Sequence, residues 1–135
     1  MKTTQISNKL MLAAAVVICL NFSSCKKYED GPMFSLMSKT ARLTGEWEIV
    51  KIDGERIDDG VSIILEFEKD GDFKSTYSYD SYSYSSEGEW EWASGKESVE
   101  ITLDGEKIEF EISRLTNSEF WFEDEDNEEY QCEKK

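Results

Sequence analysis

Apolar and polar side chains alternate along most of the chain after Gly45. Successive side chains of a β-strand point to opposite faces, so this alternation predicts half-buried strands. Eight such segments follow one another, and in the first the apolar parity shifts to Val50 and Ile52, which predicts a bulge. The predicted inward residues are Trp47 and Ile49; Val61, Ile63, Leu65 and Phe67; Phe73, Tyr77 and Tyr79; Tyr82, Tyr84, Trp90 and Trp92; Val99, Ile101 and Leu103; Ile108, Phe110 and Ile112; Phe120 and Phe122; and Tyr130 and Cys132.

Turn residues between these segments predict which residues face each other. Asp104-Gly105 and Asp80-Ser81 suit two-residue hairpin turns, and a three-residue loop ending in a left-handed Gly71 suits a third hairpin. The register set by Asp80-Ser81 also places Lys74 opposite Glu87 on the outer face. The apolar faces agree in all three hairpins, which favours an antiparallel meander. The predicted inward pairs are Ile101–Ile108, Val99–Phe110, Phe67–Phe73, Tyr79–Tyr82 and Tyr77–Tyr84.

Eight short strands in sequence, without a crossover long enough for a helix, predict an all-β, eight-stranded antiparallel up-and-down barrel. Closure of the sheet removes the exposed edges that so many strands would otherwise leave. Before the first strand, the segment 36–43 predicts a short helix with Leu36, Thr40 and Leu43 on one face. A barrel of eight strands is just wide enough to be filled by side chains or to hold one small ligand.

The first 24 residues have a different character from the rest. Lys2 and Lys9 accompany an unbroken apolar run, 10–20, which is typical of a secretory signal peptide and too short to span a bilayer. The sequence that follows, Phe22-Ser23-Ser24-Cys25, resembles a bacterial lipobox, in which the cysteine is lipidated and becomes the first mature residue. We therefore predict a signal peptide at 1–24, a lipidated Cys25 with a tether at 25–35, and a barrel domain at 36–135. The alternative is an ordinary signal peptide cut near Ser24.

Cysteine positions bear on the same choice. Cys19 would leave with the signal peptide, so a lipidated Cys25 leaves Cys132 as the only thiol of the mature chain. An unpaired thiol is a liability in an oxidising compartment, and we expect Cys132 to face inward. A disulfide between Cys25 and Cys132 is the alternative, and it requires an unlipidated Cys25.

Net charge restricts the partners. From Cys25 onward the chain has 13 basic and 30 acidic residues, a net charge of −17. Such a surface repels phosphate backbones and anionic head groups, so nucleic acid is not an expected partner and membrane attachment would depend on acyl chains at Cys25. The predicted location is the cell envelope, with the protein lipid-anchored to the outer membrane on its periplasmic or surface-exposed face. Solubility is the simplest explanation of the acidity itself.

Residues for catalysis are scarce. The chain has no histidine, which removes triads, imidazole metal sites and the commonest general base. Cys132 has no histidine to activate it, and nearly every glutamate falls on an outward strand position. The acidic run 123–129 lacks the spacing of a calcium loop and is interpreted as a polar hairpin. The sequence therefore predicts a non-enzymatic protein with no catalytic residue, no metal and no cofactor.

Several short motifs together resemble a known family. Gly45-Glu46-Trp47, preceded by a short helical segment, is similar to the Gly-x-Trp signature of lipocalins. Together with 25–32, 42–47 and Arg114-Leu115-Thr116, it resembles the small lipocalin-like lipoproteins of Bacteroidetes across essentially the whole mature chain. The resemblance implies that Gly45 and Trp47 form the motif that closes one end of the barrel. Lipocalins usually stack a late arginine on this tryptophan; here Lys134 and Lys135 end the chain, and Arg114 is the candidate arginine.

Two functions are compatible with these observations. The first is binding of a small amphipathic or hydrophobic ligand in the barrel, and the second is a protein-interaction or structural accessory module of the cell envelope with a side-chain-filled barrel. For the second, the Ser/Tyr-rich hairpin 75–86 would contact an envelope protein. Interior volume and the exposure of Tyr79 and Tyr82 distinguish the two. The candidate ligand-binding residues of the interior, which in the second case simply fill the core, are Tyr77, Tyr79, Tyr82, Tyr84, Trp90 and Trp92.

Overall fold

The computed structural model describes residues 37–135, which form one short helix and nine strands. Neighbouring strands pair antiparallel in the order β2-β1-β3-β4-β5-β6-β7-β8-β9, and β1 also pairs with β9, which closes the sheet into a barrel. The elements are α1 Lys39–Leu43, β1 Gly45–Ile52, β2 Glu55–Arg56, β3 Val61–Phe67, β4 Asp72–Tyr79, β5 Tyr82–Ala93, β6 Ser98–Leu103, β7 Glu106–Leu115, β8 Glu119–Glu123 and β9 Glu129–Lys134.

The predicted eight-stranded up-and-down barrel is confirmed, with β2 as an addition to it. β2 pairs only with the end of β1, through a turn in which Asp53 has φ 49° and Gly54 has φ 78°. Two positive φ values are what a tight two-residue hairpin turn requires. Sequence reasoning missed this strand because Glu55 and Arg56 are both exposed and provide no alternation.

The short helix predicted before the first strand is also present. Ser38 caps α1, since its Oγ accepts a hydrogen bond from the backbone N–H of Ala41 at 3.1 Å. Leu43 is fully buried against the barrel. Leu36, which was expected on the same face, lies outside the described residues. The helix thus covers one end of the barrel immediately before β1 begins.

Pairings predicted from the turns agree with the structure at every pair named. Asp104 and Gly105 have φ 52° and 85°, as the Asp-Gly turn requires. Lys74 Nζ lies 3.9 Å from Glu87 Oε1 on the outer face. The predicted bulge in the first strand is confirmed as well, because the register of β1 against β9 shifts between Ile49 and Lys51.

Large aromatic side chains fill the half of the barrel next to α1. The ring of Phe67 lies 5.8 Å from that of Phe120 and 5.7 Å from that of Trp90, both in edge-to-face geometry. Phe120 in turn lies 5.6 Å from Trp47. Edge-to-face pairs contribute about 0.5–1.5 kcal/mol beyond their buried area, so this cluster stabilises the half of the barrel that it fills.

β5 is longer than its neighbour β6, and the pairing of the two strands ends at Gly88. β6 ends at Leu103, opposite Gly88, so within the described residues the segment 82–87 pairs with β4 alone. The two strands approach so closely there that a Cβ on Gly88 would lie 2.1 Å from the carbonyl oxygen of Thr102. The β4–β5 hairpin therefore projects beyond the end of β6.

Replacing Gly88 with alanine tests this close approach. The added methyl group collides with the Thr102 carbonyl and with Leu103 Cδ2, so Gly88→Ala should lower the free energy of unfolding by about 2 kcal/mol. The exposed neighbour Glu89→Ala is the control and should change it by less than about 0.5 kcal/mol. Urea unfolding measures both, and equal stabilities of the two variants would contradict the packing described.

Candidate functional site

The barrel has two unlike ends. We call the end next to α1 the closed end; it carries the connections 37–44, 68–71, 94–97 and 116–118. We call the opposite end the mouth; it carries the connections 53–60, 80–81, 104–105 and 124–128. An antiparallel meander alternates its turns between two ends, so every second connection lies at the mouth.

Trp47 lies at the closed end, fully buried beneath α1. Its Nε1 donates a hydrogen bond of 2.7 Å to the carbonyl oxygen of Leu43, which ties the end of the helix to β1. Trp92 makes a similar tie, since its Nε1 donates to Thr40 Oγ1 at 2.9 Å. These two bonds satisfy the polar edges of both indoles and hold α1 over the end of the barrel.

The cation stacked on Trp47 is Lys134, not Arg114. Lys134 Nζ lies 4.5 Å from the ring centroid of Trp47 and donates to the carbonyl oxygens of Arg42 and Thr44. Arg114 instead lies over Trp121, at 5.0 Å, and pairs with Glu119. The expectation that Arg114 fills the place of the late lipocalin arginine is therefore wrong. It failed because Arg114 points outward from β7 with Trp121 as its cross-strand partner.

Gly45 leaves room for that lysine. Its φ is 121°, and a Cβ at this position would lie 2.9 Å from Lys134 Nζ. A side chain on residue 45 would therefore press on the ammonium group that caps Trp47. Lys134 thus lies against both ends of the Gly45-Glu46-Trp47 motif.

An apolar cavity of about 250 Å³ lies inside the mouth half of the barrel. Aliphatic and phenyl side chains form most of its wall, and Ser75 and Tyr130 contribute the only hydroxyl groups of the lining. Several lining residues at its outer edge are only half-buried, so the cavity is accessible from the mouth. Its lining is Ile49, Ile63, Leu65, Phe73, Ser75, Ile101, Leu103, Ile108, Phe110, Phe122 and Tyr130.

None of the six aromatic residues chosen from the sequence lines this cavity. Trp90 is buried at 7% exposure, and its ring lies 5.7 Å from that of Trp92 near the closed end, where the pair forms part of the packing. All of the cavity lining except Ser75 was predicted to face inward. These residues were not singled out as a site, because apolar residues on strands give no signal that separates a void from a filled core.

The four tyrosines lie outside the barrel. Tyr77, Tyr79, Tyr82 and Tyr84 are 46%, 55%, 79% and 68% exposed, so the expectation that they are enclosed in the interior is wrong. Their alternation was read correctly, since Tyr77 and Tyr79 continue the face of Phe73 and Ser75. They are exposed because the β4–β5 hairpin extends past the neighbouring strand β6, so that residues 82–87 of β5 have no strand beside them on that side. We call these four side chains the tyrosine face.

Carboxylates dominate the mouth. Its four connections hold ten acidic residues and one basic residue, Arg56, whereas the closed-end connections hold three acidic and four basic residues. The single hydroxyl hydrogen of Tyr130, which lines the cavity, lies between the carboxylates of Glu128, at 2.5 Å, and Asp124, at 3.2 Å. Burial and these carboxylates raise the pKa of Tyr130 well above its usual range, so its phenol stays protonated.

Cys132 faces the interior, as expected, and is fully buried as a free thiol. Burial raises the pKa of this thiol to about 12. The thiolate is the reactive form, so Cys132 is inert at neutral pH. Cys25, the alternative disulfide partner, lies outside the described residues.

The part of the chain that the structure describes contains no cluster of three acidic or cysteine ligands arranged to hold a metal ion. The same part contains no helix with the length and apolar character needed to cross a membrane. The acidic run 123–129 forms the ends and the connection of the β8–β9 hairpin, as predicted from its composition.

Removing the cation above Trp47 tests the closed end. Lys134→Met loses a cation–π contact and two charge-assisted hydrogen bonds, offset by relief of the partial burial that lowers the pKa of Lys134. We expect the free energy of unfolding to fall by about 2 kcal/mol. Lys135→Met is the matched control. The side chain of Lys135 makes an exposed ion pair of 3.9 Å with Glu48, and its backbone hydrogen bond to Glu46 is kept in the variant, so this change should cost less than about 0.5 kcal/mol. Equal effects in chemical unfolding would show that Lys134 does not hold the closed end.

Comparisons with known proteins agree with this architecture. No protein-family model matches the chain, and no curated protein matches it. A lipocalin-like protein from Bacteroides uniformis has a similar crystal structure, with 18% identity and a TM-score of 0.59 over 70% of this chain and 99% of that one. An uncharacterized protein from Bacteroides eggerthii is similar at 17% identity and a TM-score of 0.56, over 68% of this chain and 98% of that one. The resemblance drawn from the sequence is thereby confirmed for the fold: the chain is a lipocalin-like barrel similar to proteins of Bacteroides.

Proposed function

We propose that this protein is a non-enzymatic, lipid-anchored binding protein of the cell envelope whose barrel takes the apolar part of a small ligand through the mouth. The observation that carries the proposal is the apolar cavity of about 250 Å³ in the mouth half. Binding sites for small molecules are concave and lined mostly by apolar side chains, as this cavity is. A lipocalin-like fold supports the same activity.

The dimensions of the cavity restrict the ligand. Sites for drug-sized ligands usually measure about 300–1,000 Å³, so this cavity encloses one ring system or a short hydrocarbon segment. Its two hydroxyl groups, on Ser75 of β4 and Tyr130 of β9, lie on strands that do not pair with each other, and Tyr130 already bonds to carboxylates. The enclosed part of the ligand is therefore predominantly apolar.

An anchor at Cys25 fits the polarity of the barrel. The described chain begins at the closed end, where the connections hold four basic and three acidic residues. A tether that precedes residue 37 would bring this end towards the membrane and leave the acidic mouth directed away from anionic head groups. The predicted outer-membrane location and the lipidation of Cys25 both belong to this proposal.

A protein-interaction module is the second candidate function, and the exposure of the tyrosine face is the observation that favours it. Tyrosines and serines make adaptable contacts where they are exposed. The cavity argues for the first function, because a filled barrel was the expectation for a module that acts only through its surface.

Filling the cavity tests ligand binding. N-phenyl-1-naphthylamine is an uncharged, polarity-sensitive fluorophore with an apolar ring system, and its emission should rise saturably with one site per chain. Ser75→Phe places an apolar ring into the cavity and should weaken this binding by at least about tenfold. Ser78→Phe is the matched control: it makes the same change in the same strand on the outer face, and binding should stay unchanged. Absence of saturable emission with the unmodified protein would contradict the proposal.

The anchor has its own test. We expect the mature chain to begin at Cys25 with acyl chains attached, and to sediment with membranes. Cys25→Ser should release it into the soluble fraction, whereas Cys132→Ala should leave it membrane-bound, since Cys132 is an interior thiol. Mass spectrometry of the mature N-terminus decides the point. An unmodified Cys25, or one joined to Cys132, would contradict lipid anchoring.

A further inference from the structure

We infer that the ligand is an elongated amphiphile with an uncharged or cationic head, whose apolar end enters the cavity and whose head lies along the tyrosine face. This inference rests on the proposed function and specifies the ligand class. Three features of the described residues carry it: the continuity of one strand face from the cavity outward, the accessibility of the tyrosine rings, and the sign of the charge at the mouth.

The tyrosine face is the outward continuation of the cavity wall. Phe73 and Ser75 line the cavity, and Tyr77 and Tyr79 are the next two residues on the same face of β4. Across the hairpin, Tyr84 and Tyr82 lie opposite them. A strand rises about 3.3 Å per residue, so the face extends about 13 Å from Ser75 to Tyr79. A molecule that leaves the cavity along this wall meets the tyrosines in sequence.

The tyrosine rings are available for contact. Among the described residues, none of the aromatic ring contacts involves any of the four tyrosines. On the opposite face of the hairpin, the hydroxyl groups of Thr76 and Ser85 bond to each other at 3.0 Å, and those of Ser78 and Ser83 bond to each other at 3.2 Å. The hydroxyl groups of the outer face thus bond to one another, whereas the inner face presents the tyrosine rings with their hydroxyl groups at the tips.

Charge at the mouth selects the head group. Asp124 and Glu128 accept hydrogen bonds from Tyr130, which lines the cavity. The mouth connections hold ten acidic residues and one arginine. The Debye length is about 8 Å at physiological salt, so an anionic head at the mouth lies within reach of several of these carboxylates. A free fatty acid is therefore disfavoured. A cationic head gains from the same field and from the faces of the tyrosine rings.

A second copy of the chain is a poorer occupant of the tyrosine face. The net charge of −17 from Cys25 onward makes two copies repel each other, and the acidic mouth directly below the hairpin would have to meet another acidic mouth. A small amphiphile avoids this repulsion and uses both the cavity and the face that continues from it.

The experiment measures displacement of N-phenyl-1-naphthylamine by three amphiphiles with the same dodecyl chain, each below its micelle concentration: the maltoside, the trimethylammonium and the carboxylate. The full mature chain should bind the first two at least about tenfold more tightly than the carboxylate at low salt. Added salt should narrow the difference, because it screens the acidic mouth.

Substitutions separate the tyrosine face from the cavity. The double change Tyr79→Ser and Tyr82→Ser should weaken binding of the maltoside by about tenfold. The affinity for N-phenyl-1-naphthylamine should change less than about twofold, because that probe has no head group. Ser78→Ala with Ser83→Ala alters the adjacent cross-strand pair, whose side chains lie on the outer face, and should leave both affinities unchanged. Unchanged probe binding also reports that each variant is folded, and the single Tyr82→Ser change repeats the test at the most exposed ring.

Three results would overturn the inference. Equal or tighter binding of the carboxylate would refute the charge selection, and an unchanged maltoside affinity in the tyrosine variant would refute the role of the face. Concentration-dependent dimerisation that is lost in the tyrosine variant, with amphiphile affinity retained, would assign the face to a second copy. If the wild-type chain does not bind N-phenyl-1-naphthylamine, the proposed function itself is contradicted. Failure of the proposed function is thereby distinguished from failure of the inference about the ligand class.

Discussion

The packing of large aromatic side chains into one half of the barrel is the constraint on which the rest of the structure depends. Trp47, Phe67, Trp90 and Phe120 fill the half next to α1, and Lys134 and the helix cover them. Protein interiors are close-packed, and these four side chains fill their half of the barrel. The aromatic residues of the other half, Phe110, Phe122 and Tyr130, stack along its wall and leave the centre of that half open. Closure through β1 and β9 holds the wall in place, and the mouth half keeps its cavity.

Strand periodicity and turn residues were sufficient to predict the fold. Alternation located all eight barrel strands, and the Asp-Gly turn at Asp104 gave the correct register, because a slip of one residue would have exposed every apolar side chain of the hairpin. The bulge near Val50 was also readable, since the parity of the apolar residues changes there. These are local signals, and each of them acts within a few residues of the chain.

The site was harder to predict because it depends on strand length relative to neighbours. The four tyrosines have the parity of inward residues, yet β6 ends beside Gly88, and the part of the β4–β5 hairpin that carries the tyrosines projects past it into solvent. The local sequence of β5 does not predict where β6 ends. In the same way, Lys134 and Trp47 meet only because β9 closes onto β1, and alternation cannot distinguish that contact from one made by Arg114. The exposure of the tyrosines and the contact between Lys134 and Trp47 both depend on how strands are placed beside one another, which local sequence does not determine.

Location of the bound probe tests the central claim most directly. Methyl NMR spectra of the protein titrated with N-phenyl-1-naphthylamine should show shifts at Ile63, Leu103 and Ile108, which line the mouth-half cavity, and no shift at Leu43, which is packed beneath the closed end. Shifts confined to surface methyl groups, or largest at Leu43, would contradict an account in which the aromatic half of the barrel is filled and the mouth half is the binding site.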